Sequence, residues 1–152
     1  MTGYRLVRRI YLWAVMAGLL SLGAAAQSPR YTLFGGALLG APNGFTLGVG
    51  LALPINRNVS FEPSVAGGRS GHAGLFTADG VFTYAFHLDD EAFVPYILGG
   101  VGLAQWGSAS HGSAIAGFGV RFPIGNDAWI TPEVRAGSHG LARFTIGYSK
   151  SF

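Results

Sequence analysis

Cysteine is absent from all 152 residues, which excludes a disulfide framework and a lipid-modified N-terminal cysteine. Charge is scarce as well. Asp, Glu, Lys and Arg make up 11% of the chain, against about 25% in an ordinary soluble domain. No basic cluster follows Arg9. The formal charge of +3 comes from Arg5, Arg8 and Arg9, and beyond Ala26 seven bases meet seven acids. The sequence pI of about 9.6 therefore supports no nucleic-acid partner. Also missing beyond residue 26 is any apolar run of the ~20 residues that a membrane helix needs. Yet the mean hydropathy is +0.37, so the apolar residues must be spread along the chain.

The first 26 residues are the exception. Three arginines precede the apolar run "IYLWAVMAGLLSLG", and "AAA" stands before Gln27. A basic start, a short apolar stretch and small residues at a cleavage position predict a secretory signal peptide over 1–26, cut near Ala26. The remaining 27–152 would form one domain.

There the apolar residues alternate. In "FTIGYSKSF", Phe144, Ile146, Tyr148 and Phe152 share one parity, and Thr145, Gly147, Ser149 and Ser151 share the other. Period two is the signature of a strand with two unlike faces. Gly, Pro, Asn and Asp clusters divide the domain into eight such segments, at about 31–40, 45–53, 59–68, 74–86, 93–105, 113–122, 128–137 and 141–152. Three of them share a frame, "VSFEPSVAGG", "EAFVPYILGG" and "AWITPEVRAG", in which Pro63, Pro95 and Pro132 align. Proline cannot donate to a ladder, so a bulge or a headgroup water is expected beside each. The returning strands close on Leu53, Phe86, Phe122 and Phe152, the positions of an interfacial girdle.

The girdle parity carries the large apolar side chains, and Lys150 is its only charge within these segments. The opposite parity holds Glu62, Asp79, Arg121, Glu133, Arg135 and Arg143 among Gly, Ser, Thr and Ala. A soluble lipid-binding barrel would hide its apolar residues and show its charges. This chain does the reverse. A charge facing lipid costs about 2–4 kcal/mol at the bilayer midplane, and a closed barrel pairs every backbone group without water. The expected fold is an all-β, eight-stranded, antiparallel, up-and-down transmembrane β-barrel. Eight strands leave an interior filled by side chains, so no open pore is expected. The six inward charges sum to zero and are expected to form a structural lumen network. A short "SHG" turn that sets Gly137 opposite Leu141 would make Arg135 face Arg143. Two facing guanidiniums are unfavourable, so Glu133 and Asp79 are expected to intervene.

With its signal segment, "FVPYILGGVG", "GFGVRFPIGND" and the final "FTIGYSKSF", the chain resembles the small eight-stranded outer-membrane barrels of Gram-negative bacteria, the outer membrane protein A and X type. The resemblance implies Sec export, residence among outer-membrane lipid, a monomer without cofactor, and a role in envelope structure or surface interaction. It also implies that Phe144, Ile146, Tyr148 and Phe152 form the signal read by the barrel-assembly machinery. Lys150 departs from that pattern, which usually has an apolar or aromatic residue two positions before the end.

Two constellations suggest chemistry. His72, His111 and His139 fall in breaks at one end of the barrel, and imidazole is a common metal ligand; polar loop residues among Gly and Ser are the plainer reading. "HGSA" is similar to the His-x-Ser pair of lipid A 3-O-deacylases, with His111 and Ser113 in place and Glu133 as the acid on the next strand. Ala114 stands where that resemblance expects asparagine. Parity turns Ser113 into the lumen, and a base must lie within hydrogen-bond reach of its nucleophile. No metal site and no catalytic site is therefore expected.

Overall fold

The computed structural model describes residues 28–40, 43–87, 92–138 and 140–152; the expected signal peptide and His139 lie outside them. Eight strands follow one another: β1 (Arg30–Leu39), β2 (Gly44–Pro54), β3 (Val59–Ser70), β4 (Ala73–Ala85), β5 (Val94–Trp106), β6 (Ala109–Pro123), β7 (Ala128–Gly137) and β8 (Ala142–Ser151). Each pairs antiparallel with the next, and β8 pairs with β1 to close the barrel. The start of β1 and the C-terminus meet at one rim, here the near rim, where Phe152 N donates to Pro29 O at 3.1 Å. The opposite end is the far rim.

Alternation in sequence becomes alternation across the wall. Along β8, Arg143, Thr145, Gly147 and Ser149 are buried, whereas Phe144, Ile146, Tyr148 and Lys150 are exposed. The same holds around the ring: Leu47 is 64% exposed, Val101 68% and Phe118 60%. Side chains of this size so far open to the surroundings belong in an apolar medium, not in water. Aromatic pairs gather at the near rim, with ring centres 5.7 Å apart for Tyr31 and Phe152 and 6.3 Å for Phe93 and Phe122.

Two strand boundaries differ from expectation. "WGSASHG" is not a loop. β5 runs on to Trp106 and β6 begins at Ala109, joined by the two-residue turn Gly107-Ser108. Gly107 takes a φ of +54° there, a conformation that glycine adopts at no steric cost. His111 therefore sits on a strand. β3 likewise extends to Ser70, which puts Arg69 beside Phe45 on the outward parity at the far rim. Lys150 is thus not the only outward charge, and the two lie near opposite rims.

No bulge accompanies the prolines. Pro63 pairs with Gly80 on β4, and Pro132 with Ile146 on β8, so each keeps one full ladder. On the other side the β2–β3 ladder skips from Gly50–Ser64 to Leu53–Phe61, and the β6–β7 ladder from Gly119–Glu133 to Phe122–Ile130. The register is the same above and below each gap. The missing N–H removes rungs but inserts no residue. Pro95 lies beyond the last β4–β5 rung, where its carbonyl still accepts from Phe86 N at 2.9 Å.

The inner face is more apolar than the expected Gly, Ser, Thr and Ala. Val81, Ala85, Tyr96 and Leu98 form a buried cluster with Val94 and Ile115 against it, and Leu38 and Leu75 are buried nearer the far rim.

An ionic network in the lumen as the candidate functional site

Because side chains on one face of a strand recur at every second residue, Glu133 and Arg135 on β7 both point inward, as do Asp79 on β4 and Arg143 on β8. The register brings all six inward charges into contact. Arg121 Nη2 donates to Glu62 Oε1 at 2.9 Å, and Thr83 Oγ1 donates to the same oxygen at 3.1 Å. Arg135 Nε donates to Glu133 Oε1 at 2.5 Å, and Tyr96 Oη donates to Glu133 Oε2 at 2.7 Å. Arg143 Nη2 reaches Asp79 Oδ2 at 2.7 Å, and Arg135 Nη1 reaches that oxygen at 3.4 Å. Arg135 and Arg143 are paired residues of the β7–β8 ladder, and Gly137 N donates to Leu141 O at 2.8 Å in the turn above them.

Glycine makes room for these groups. A Cβ at Gly119 would meet the Tyr96 hydroxyl and ring, and one at Gly102 would meet Asp79 Oδ1. Small residues on β5 and β6 thus admit the side chains that solvate the arginines. Arg121 also lies over the Tyr96 ring, 4.4 Å from its centre, so Tyr96 binds a cation with its face and a carboxylate with its hydroxyl.

Sequence reasoning missed Tyr96 and Arg30. Tyr96 shares the parity of Leu98 and Gly100, and an aromatic with a polar tip on the lumen face was the available signal. Arg30 begins β1 one residue earlier than expected. It faces inward over the Trp129 ring, 5.3 Å from the centroid. Among the described residues the lumen therefore carries four guanidiniums and three carboxylates.

The candidate catalytic residues are not brought together. His111 and Ser113 share the inner face of β6 near the far rim, in unbroken register with β5. Glu133 pairs with Gly119, well down the same sheet, and its carboxylate is held by Tyr96 and Arg135. Ser113 Oγ donates to Ala114 O at 3.4 Å. The histidines are also apart: His72 occupies the β3–β4 turn, while His111 packs near Trp106 with ring centres 6.3 Å apart. No group of three metal-ligating side chains occurs among the described residues.

Side chains fill the middle of the barrel. A cavity of about 30 Å³ lies among Arg30, Glu62, Tyr96 and Glu133, and one of about 50 Å³ lies under the far rim. A near-rim vestibule of about 550 Å³ opens around Arg30, Arg57 and Asp127.

This architecture has solved counterparts. The N-terminal β-barrel domain of Pseudomonas aeruginosa OprF matches with a TM-score of 0.69 at 12% identity, over 83% of this chain and 98% of that one. The fold is that of the small eight-stranded outer-membrane barrels. Neisserial surface protein A matches with a TM-score of 0.64 at 12% identity, over 82% and 96% of the two chains. The outer membrane enzyme PagL matches with a TM-score of 0.54 at 17% identity, over 81% and 99%. No family model matches the chain, and no curated protein matches it by sequence.

Proposed function

We propose that the chain is an integral outer-membrane barrel with a structural or surface-interaction role and no open pore. The observation that carries this reading is the inverted wall. Large apolar side chains line the outside, and every charge in the middle of the barrel faces the lumen. Charges placed in lipid are costly and unpaired backbone groups are costlier still, so a closed inverted barrel gains its stability from a bilayer. The outer-membrane barrels that share its fold support the choice of membrane.

On this reading residues 1–26 direct export and are removed near Ala26. Both ends of the mature domain then lie on the periplasmic side, and the far rim faces outward. Phe144, Ile146 and Tyr148 on β8, with Phe152 beyond Lys150 at its end, present an apolar stripe to the assembly machinery. The ionic network serves as a structural plug: Arg121, Arg135 and Arg143 are each paired with a carboxylate, and breaking a pair strands its partner. The far-rim turns are short, which favours envelope integrity over binding of a large partner.

Membrane fractionation with boiled and unboiled gel samples tests the proposal. A folded barrel should partition with outer membranes and change mobility on boiling. Recovery in the soluble periplasmic fraction, with one mobility in both samples, would exclude it.

A further inference from the structure

We propose that the outward face of β3 and β4 at the far rim docks an anionic membrane lipid, its phosphate on Arg69 and an acyl chain below. On the membrane-barrel reading, on which this inference rests, the far rim lies at one leaflet surface. The acids are unevenly placed around the molecule. Of the seven beyond Ala26, Glu62, Asp79 and Glu133 are paired with arginines in the lumen. The other four, Asp89, Asp90, Glu91 and Asp127, fall between β4 and β5 or between β6 and β7, the connections of the near rim. The far-rim connections, 40–43, 71–72, 107–108 and 138–141, hold no acid. Arg69 is exposed at that rim on the outside of the wall. Among the described residues it has no hydrogen bond and no ion pair. A guanidinium at a membrane edge, with no acid of its own, is complementary to lipid phosphate.

Shape agrees with charge. Arg69 pairs with Phe45 on β2 and Gly74 on β4, and Gly67 follows on the same outward parity of β3. Glycine inside a strand weakens it and marks a close approach. For the lumen-facing Gly68 that approach is internal, since a Cβ there would meet Phe45 O. At Gly67 and Gly74 a Cβ would meet nothing within 4 Å, and neither takes a positive φ. Nothing within the protein requires glycine at either position. Their open floor lies between the exposed rings of Phe45 and Phe76. Next below Phe76 on β4, Ala78 opens a hollow of about 530 Å³ with Gly80, Val101, Leu103, Gly112 and Ala114. A cation at the rim above an apolar hollow matches the order of parts in an anionic lipid.

The chain folded into phosphatidylcholine nanodiscs tests this, with phosphatidic acid replacing a rising share of the lipid. The amide resonances of Gly67 and Gly74 should shift and saturate. Arg69→Gln should lower the apparent affinity about fivefold, the contribution of one basic residue near an anionic surface. Gly67→Leu enters open space, so it should fold normally and still weaken the response at Gly74. An unsaturable shift, or one that Arg69→Gln leaves intact, would overturn the proposal. So would the same saturation by glycerol phosphate in pure phosphatidylcholine discs, which would mark a site for free phosphate. A shift that follows protein concentration at fixed lipid would give the face to a second copy instead. A chain that never enters the discs fails the membrane reading itself; one that enters without a saturable shift fails this inference alone.

Discussion

Arg135 and Arg143 face each other across the β7–β8 ladder and share one carboxylate oxygen, Asp79 Oδ2, at 3.4 and 2.7 Å. Two like charges in register repel, so this corner of the lumen depends on a residue three strands from one arginine and four from the other. Glu133 supports Arg135 from its own strand, but for Arg143 Asp79 is the carboxylate within ion-pair reach.

Asp79→Asn should therefore destabilise the folded barrel by on the order of 3–5 kcal/mol, the range for leaving a buried charge unpaired. Urea unfolding in lipid vesicles measures it. Glu133→Gln should cost less than Asp79→Asn: its amide oxygen can keep the bond from Arg135 Nε while its amide N–H2 donates to the Tyr96 hydroxyl, and Arg135 retains Asp79. A loss below about 1 kcal/mol for Asp79→Asn would show that water solvates these arginines instead.

Gly119 and Tyr96 should behave as one unit. Gly119→Ala puts a methyl where the Tyr96 ring and hydroxyl lie and should cost about 1–3 kcal/mol through overpacking. Tyr96→Phe removes the hydroxyl that donates to Glu133. The double variant should lose less than the sum of the two, since the clash and the hydrogen bond involve the same atoms. Strict additivity in a double-mutant cycle would disprove the coupling.

Deleting Phe152 should lower the amount of barrel recovered in membranes more than it lowers the stability of barrel already folded. Lys150→Tyr should leave membrane levels equal or raised, because Lys150 interrupts the outward stripe of β8 between Tyr148 and Phe152. Immunoblots of outer-membrane fractions give the levels. Unchanged levels after the deletion would remove Phe152 from the assembly signal.

Ser113→Ala and His111→Ala should leave the lipid A of expressing cells unaltered, with no acyl chain released by the parent protein. Both side chains face the lumen, and the register from Val94–Arg121 to Trp106–Ala109 contains no bulge that would turn them to lipid. Mass spectrometry of lipid A is the check. Loss of one acyl chain, abolished by His111→Ala, would restore the hydrolase reading.

Strand number, pairing order and facing were legible because large apolar residues contrast with Gly, Ser and Thr at every second position. The stretch Trp106–Gly112 was not, since "WGSASHG" alternates one small residue with another and periodicity has nothing to report. Arg30 was lost for a related reason. Strand ends are fixed by rungs, and Arg30 is ordered by pairing with Ala52 and Ser151, partners far away in sequence. The inward parity of Asp79 and Glu133 could be read; which arginine each would hold could not. That depends on the stagger of strands around a closed ring and on the space left by Gly102 and Gly119.

The contact of Phe152 with Pro29 makes the backbone of the described residues nearly circular. A short linker between the two ends, with a cut in the Gly107-Ser108 turn, would give a permuted chain with the same wall, the same rungs and the same ionic plug. What would change is chronology. β8 would be born in the interior of the polypeptide, and β5 would emerge last, its end at the far rim beside Trp106. Such a permutant separates the two demands on the final strand, since its geometry is conserved while its place in the order of synthesis is not.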